Sequence, residues 1–150
     1  MSNSTLNFEI NAKDLLKKFS ELSPKKQTKV YQQSSRKALQ PLVRETKKNL
    51  KKELGTVVNK KDKYGNSLNS GVKMKIYKDG QGGNVNILSN FKLKWFELGT
   101  KLRKTRKGFN RGKITALNFF KHAQERMKEE ILNKIDNYIA QSIQNIWKKK

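Results

Sequence analysis

The sequence predicts an α+β fold in which long helices pack on a small antiparallel β-sheet. Two observations indicate the helices, because apolar residues recur at three- and four-residue steps over residues 24–54 and again over about 115–147. A third observation indicates the sheet, since apolar and polar residues alternate on both sides of a glycine-rich turn near residue 80. The predicted order is therefore helix, helix, hairpin, loop, helix.

Two helices are predicted in the N-terminal third of the chain. The first begins at Asn11. Its expected apolar stripe consists of Leu15, Leu16, Phe19 and Leu22. The second begins at Ser23-Pro24, where the serine hydroxyl can cap the first turn and proline suits the first helical position. It ends at Gly55, a residue typical of helix C-termini, and Pro41 is expected to kink or split it.

The predicted hairpin follows a polar segment, residues 56–71, in which NKKDKYGNSLNSG is expected to be an exposed loop. Its strands are VKMKIY and NVNIL, joined by the turn KDGQGG. The residues expected to face inward are Val72, Met74, Ile76, Val85 and Ile87. The next stretch, FKLKWFEL, fits either a strand or a helical turn. At the N-terminus, residues 6–10 predict a short strand or an arm.

The clearest element is one amphipathic helix from about Thr115 to about Trp147. Its expected inner face consists of Leu117, Phe120, Ala123, Met127, Ile131, Ile135, Tyr138, Ser142 and Ile146. The basic KKK tail suits the negative C-terminal end of the helix dipole. We expect a single domain over residues 1–150, with its core between about 24 and 140.

Composition and charge narrow the classes of function. With 35 Lys and Arg against 12 Asp and Glu, the formal net charge is +23, which favours contact with polyanions such as nucleic acid. A generally basic surface without a dedicated site explains the same charge, and both interpretations are open. The chain has no cysteine, so it has no disulfide framework and no thiolate metal site. Neither a secretory signal nor an apolar window long enough for a membrane span is visible, which predicts a soluble, cytoplasmic protein without a membrane partner.

The residues that carry most enzyme chemistry are sparse. His122 is the only histidine, and its neighbours Lys121, Gln124 and Glu125 have no ligand or catalytic spacing. Glu129 and Glu130 are adjacent and point to different parts of a helix surface. The GQGG stretch is typical of a hairpin turn and lacks the context of a phosphate-binding loop. We therefore expect no enzyme, no cofactor and no metal site.

A basic run is the strongest binding candidate. The thirteen residues from Lys101 to Lys113 hold seven cations and no acid. Gly108 and Gly112 would let the backbone approach a phosphate, and Phe109 could stack on a base, but no recognition helix or aromatic platform accompanies them. A solvated or subunit-contacting loop is the favoured interpretation. The candidate subunit or DNA contacts are Lys101, Arg103, Lys104, Arg106, Lys107, Arg111 and Lys113.

Two short segments on either side of this run resemble a known family. The segments are WFELGT, which contributes Trp95, Phe96, Glu97, Gly99 and Thr100, and ALNFFKHA, which contributes Phe119, Phe120 and Ala123. Together with the order of elements, and a looser match at Gly65 and Leu68, they resemble the neck or tail-completion proteins of tailed phages, the gene-product-ten type of HK-like phages. Asn118 stands where the family commonly has proline, and Leu98 replaces an aromatic residue.

The resemblance implies a structural virion protein that acts in head–tail joining or tail completion. Its expected partners are copies of itself in a homo-oligomeric ring, other head–tail connector or tail proteins, and DNA through non-specific contact. Its expected location is the virion, with the host cytoplasm during assembly. In this reading Gly99 turns the chain with a positive φ, Thr100 bonds the local backbone, and Trp95 and Phe96 are buried against the C-terminal helix.

Two other classes of protein are alternatives to a structural virion protein. A free-standing, phage- or prophage-encoded nucleic-acid-binding protein would use the +23 charge directly. A toxin or nuclease fragment is disfavoured because the sequence offers no acid or histidine cluster.

Overall fold

The computed structural model describes residues 12–149 and confirms the predicted α+β class. Within that range, four α-helices accompany one two-stranded antiparallel sheet. In chain order the elements are α1 (Ala12–Ser20), α2 (Pro24–Leu54), β1 (Lys73–Ile76), β2 (Gly83–Asn86), α3 (Lys92–Leu98) and α4 (Phe119–Trp147), with 3₁₀ turns at Gly55–Asn59 and Asn69–Gly71. The strand or arm predicted for residues 6–10 lies outside the described residues.

The packing of α2 on α4 forms the body of the molecule. The buried stripe of α2 consists of Val30, Ser34, Ala38, Leu42, Thr46 and Leu50, each four residues after the last. The two hydroxyls in this stripe are satisfied within the helix: the Ser34 hydroxyl donates to Val30 O at 2.8 Å and the Thr46 hydroxyl to Leu42 O at 2.7 Å. Small buried side chains on both helices, such as Ala38 and Ala123, let the two backbones approach.

Both ends of α2 fall where the sequence predicts them, but two details differ. Of the two outcomes expected at Pro41, a split is excluded, since α2 is continuous through it and packs on α4 on both sides, with Val30 in one cluster and Leu42 in another. Ser23 occupies the N-cap position without a side-chain hydrogen bond. Its backbone carbonyl instead accepts from Gln27 N at 2.9 Å.

The hairpin confirms the predicted alternation. Strands β1 and β2 pair in antiparallel register with Met74 opposite Val85, and Val72 and Ile87 are buried just beyond the strands. The ambiguous stretch that follows is a helix, α3, and the Asn90 side chain bonds its first residue. The Asn90 amide donates to Ser67 O at 3.1 Å, and its carbonyl oxygen accepts from Lys92 N at 3.2 Å. Leu93 then enters the core with no exposed surface.

Three further expectations from the sequence are wrong. The predicted exposed loop, residues 59–71, is not wholly exposed, since Leu68 is buried in the core cluster and Gly71 is also buried. Leu16 is 68% exposed, because Leu15 and Phe19 are the side chains that α1 turns toward the core. The core also extends past the predicted limits of 24 and 140, to Leu22 and Ile146.

Candidate functional site: an anchored basic arm

The junction between α3 and α4 is held by one buried carboxylate, that of Glu97. This side chain is only 7% exposed, and its oxygens accept from Phe120 N at 2.8 Å and Lys121 N at 3.0 Å. Those two N–H groups belong to the first turn of α4, which has no partners for them inside the helix. The carboxylate also lies at the positive end of the helix dipole. Glu97 therefore acts as a cap supplied from a distant part of the chain.

Backbone hydrogen bonds complete the junction. Leu117 N donates to Phe96 O at 2.8 Å, and Asn118 N donates to Glu97 O at 3.2 Å. Asn118 is in the left-handed region, with φ 49° and ψ 31°, a conformation that asparagine tolerates better than most residues. These tertiary bonds draw the chain before Phe119 out of the helical path. For that reason α4 begins at Phe119 and the predicted start at Thr115 is wrong.

Gly99 allows the chain to leave the junction, as predicted, with a φ of +73°. A Cβ atom at this position would lie 2.8 Å from Ile114 O and 2.9 Å from Ala116 N, both of them backbone atoms. Thr100 then pairs with Ile114 in both directions: Thr100 N donates to Ile114 O at 2.8 Å, and Ile114 N donates to the Thr100 hydroxyl oxygen at 2.9 Å. The expectation of a local Thr100 bond is corrected, since its partner lies across the loop.

The aromatic residues of the two segments divide between core and surface. Phe119 is 1% exposed and Ala123 is fully buried, while Phe96 and Phe120 are half-buried against the same core. Trp95 is 41% exposed and meets Phe91 edge-on at a centroid distance of 5.2 Å. Its expected burial against the C-terminal helix is therefore wrong. The physical reason is the helical period of α3, which turns Leu93 and Glu97 to the core and Trp95 away from it.

Between the two halves of the junction, residues Lys101–Lys113 form a hydrogen-bonded arm, hereafter the basic arm. Arg103 N donates to Gly112 O at 3.0 Å, and Arg111 N donates to Arg103 O at 2.7 Å. A β-bridge pairs Lys104 with Asn110. The tip is a tight turn in which Thr105 N donates to Phe109 O at 2.8 Å. The predicted loop is thus an antiparallel ribbon with a defined base and tip.

The surface of the basic arm is cationic with apolar side chains between the charges. All seven of its cations are exposed, and none forms an ion pair with an acid of residues 12–149. Phe109 is 69% exposed and Leu102 is 55% exposed. Gly108 and Gly112 have φ values of +84° and +71°, with open space where a Cβ would lie. The two glycines therefore allow the backbone turns of the ribbon. The exposed surface of the arm presents cations and an aromatic ring to a binding partner.

Other candidates from the sequence are not brought together. His122 is exposed on α4 next to the capped first turn. The structure shows no group of three or more His, Cys, Asp or Glu able to hold a metal ion within residues 12–149. Glu130 pairs with Lys134 at 2.9 Å, whereas Glu129 is exposed on a different part of α4.

The role of Glu97 as a cap was missed by reasoning from the sequence. A capping acid is normally sought within three residues of the helix start, and Glu97 lies 23 residues before Phe120. The available signal was an acid inside an apolar segment immediately before Gly-Thr.

No family model, curated protein or solved structure matches this chain. In the part of the chain from 12 to 149, no helix combines the length and the apolar character needed to cross a bilayer.

Proposed function

We propose that this chain is a structural virion protein of a tailed phage or prophage that acts in head–tail joining or tail completion by ring-forming self-assembly. One observation carries the proposal. The residues of the phage-like segments, above all Glu97, Gly99 and Thr100, build the root of an exposed and firmly anchored basic arm. The short segments that resemble the phage family therefore share one task in this fold, which is to position the arm.

A structural role agrees with how the junction uses its polar groups. Both oxygens of Glu97 are occupied by N–H groups of α4, so this buried acid stabilises a helix start. The same arrangement fixes both ends of the ribbon on the core, while the ribbon itself stays in solvent. An extension with a rigid base keeps its contact residues preorganised for a neighbouring subunit.

In the assembled virion, the arm would meet the neighbouring subunit or the DNA that passes through the ring. The protein would then be found at the head–tail junction or in the tail, and in the host cytoplasm before assembly. No cofactor takes part in the proposed role.

A charge-matched pair of variants tests the proposal in the phage or prophage that encodes the chain. The arm variant carries glutamine at all seven arm cations. The control carries glutamine at the seven lysines between residues 47 and 63, namely Lys47, Lys48, Lys51, Lys52, Lys60, Lys61 and Lys63. We expect the arm variant to fold but to leave filled heads without tails, and the control to assemble normally. Normal virions from the arm variant would refute a role of the arm in assembly.

A second candidate function is a free-standing nucleic-acid-binding protein. The observation that favours it is that seven exposed cations lie on one ribbon without acidic partners among the described residues. On duplex DNA, each lost phosphate contact should flatten the slope of log affinity against log salt by about 0.9. Loss of DNA binding confined to the arm variant, with virion assembly intact, would promote this function over the first. Portal, capsid and tail-tube genes beside the coding gene would favour the first.

A further inference from the structure

An apolar groove lies at the end of the molecule away from the basic arm. It has a volume of about 520 Å³ and lies between α1, α2 and the second half of α4. Its main lining residues are Leu15, Leu16, Phe19, Asp136, Ile139 and Ile143. Leu16 is 68% exposed at its edge. A groove of this size takes an aromatic side chain together with its neighbours.

The charge of the groove is unusual for this molecule. Three other surface grooves are each lined by at least one lysine, in a chain with 35 Lys and Arg. Among residues 12–149, no Lys or Arg lines the apolar groove, and Asp136 is the one charged residue that does. Asp136 forms no ion pair within residues 12–149. The groove is therefore suited to an apolar side chain flanked by cations.

The basic arm has this composition. Phe109 is 69% exposed, Lys107 and Arg111 lie two residues to either side of it, and no acid occurs in the arm. The arm is rooted at the start of α4 through Glu97, whereas Asp136 lies 17 residues further along the same helix than Phe119. At 1.5 Å per residue, the two features are separated by about 25 Å along the helix axis. This separation favours contact between two copies over contact within one.

We propose that the basic arm of one copy docks in the α1–α4 groove of the next, with Phe109 in the groove and the flanking cations facing Asp136. This inference rests on the proposed self-assembly and names the surfaces that perform it. Because arm and groove are different surfaces, the contact is head-to-tail, and repetition of a head-to-tail contact closes a ring when the rotation allows it. An apolar centre with charged groups at its edge is also the usual anatomy of a protein interface.

Disulfide trapping tests the contact directly, because the chain has no cysteine of its own. Phe109→Cys and Leu16→Cys are introduced into the same full-length chain, which is then oxidised in dilute solution. We expect a ladder of covalent oligomers on non-reducing gels. The matched control is Leu88→Cys with Leu16→Cys, since Leu88 is 64% exposed and belongs to neither surface. A ladder no stronger than that of the control, or a disulfide closed within one chain, would overturn the proposal.

Mixing single variants tests the head-to-tail character. Phe109→Cys mixed with Leu16→Cys should give only covalent dimers of the two, since each chain then carries one half of the contact. Adding Asp136→Lys to the double-cysteine chain should reduce the ladder about tenfold, because it places a cation opposite the two cations that flank Phe109 in the neighbouring copy, and like charges in contact disfavour association. Glu129→Lys makes the same charge change on an exposed part of α4 and should leave the ladder unchanged. Equal effects of the two substitutions would overturn the role of Asp136.

Light scattering on the unmodified chain distinguishes the proposed self-assembly from the proposed contact between arm and groove. If it forms oligomers but the cysteine pair gives no ladder, the groove contact is wrong and the self-assembly stands. If the unmodified chain stays monomeric at high concentration and the double-cysteine chain gives no ladder, both the groove contact and the self-assembly fail.

Discussion

The junction around Glu97 and the basic arm are consecutive in the chain, yet opposite in their physical chemistry. In the junction, a single acid is 7% exposed and both of its oxygens accept backbone N–H groups. In the arm, seven cations are exposed without an ion pair among the described residues. Charge buried with its partners fixes structure, whereas charge left in solvent contributes little to folding and remains available for a partner.

Replacing Gly99 with valine should have the largest effect on folding. The φ of +73° strongly disfavours a β-branched residue, and the new Cβ would lie within 3 Å of two backbone atoms at residues 114 and 116. We expect a loss of about 3 kcal/mol in the free energy of unfolding, the upper end of the range for one strained residue. Thermal unfolding measures it. Gly108→Val has the same kind of backbone strain, at a φ of +84°, but lies in open space, so the difference between the two variants isolates the cost of the clash at Gly99. Equal melting temperatures for Gly99→Val and the wild type would show that the junction does not depend on a glycine at residue 99.

Replacing Glu97 with alanine should cost somewhat less, about 2 kcal/mol. The change leaves Phe120 N and Lys121 N without their acceptors at a partly buried helix start. For a chain of this size, the melting temperature should fall by about 4–8 °C. Glu97→Gln keeps one acceptor and should lose about half as much. If the exposed control Glu129→Ala is equally destabilising, the contrast between buried and exposed charge does not hold.

Neutralising all seven arm cations should change the free energy of unfolding by less than about 0.5 kcal/mol. Exposed side chains bury little surface, and removing like charges relieves part of the repulsion in a +23 chain. Chemical denaturation of the glutamine variant measures the effect. A loss as large as that of Glu97→Ala would show that the arm cations stabilise the fold. The contrast between the buried acid of the junction and the exposed cations of the arm would then be wrong.

The smallest effect is expected at Asp62, an acid that is more exposed than Glu97. The backbone N–H groups of Asn66 and Tyr64 donate to the Asp62 carboxylate, and Lys92 Nζ lies 3.7 Å from it. These contacts hold the pKa of Asp62 below the ordinary value of 3.8. A pKa that is lower in the folded chain than in the unfolded chain stabilises the fold at a pH above the unfolded pKa. This stability is lost as the pH falls through the folded pKa. Asp62→Asn should therefore lower the melting temperature slightly at neutral pH and not at strongly acidic pH. A difference that is independent of pH would assign the effect to packing.

Periodicity predicted most of the fold because it reports which faces must be buried. The ends of α2, the hairpin and part of the inward face of α4 follow from spacing in the sequence. Of the predicted face of α4, Ala123, Met127, Ser142 and Ile146 are buried, whereas Leu117 lies before the helix and the buried Phe119, Ala140 and Ile143 were not predicted to face inward. The positive φ of Gly99 could also be predicted, since a Gly-Thr pair after a helical turn is typical of a chain reversal. The existence and charge of the basic arm required only the residue types.

Only the tertiary structure decided how these pieces are joined. Whether FKLKWFEL is a helix or a strand depended on Asn90, whose side chain bonds Ser67 and Lys92. The start of α4 depended on hydrogen bonds from residues 117 and 118 to α3, which no local propensity encodes. The cap supplied by Glu97, the ribbon pairing of the arm and the groove beside Leu16 likewise arise between residues that are far apart in sequence. Spacing along a chain reports local periods, whereas the partner of a given polar group is fixed only when distant segments meet.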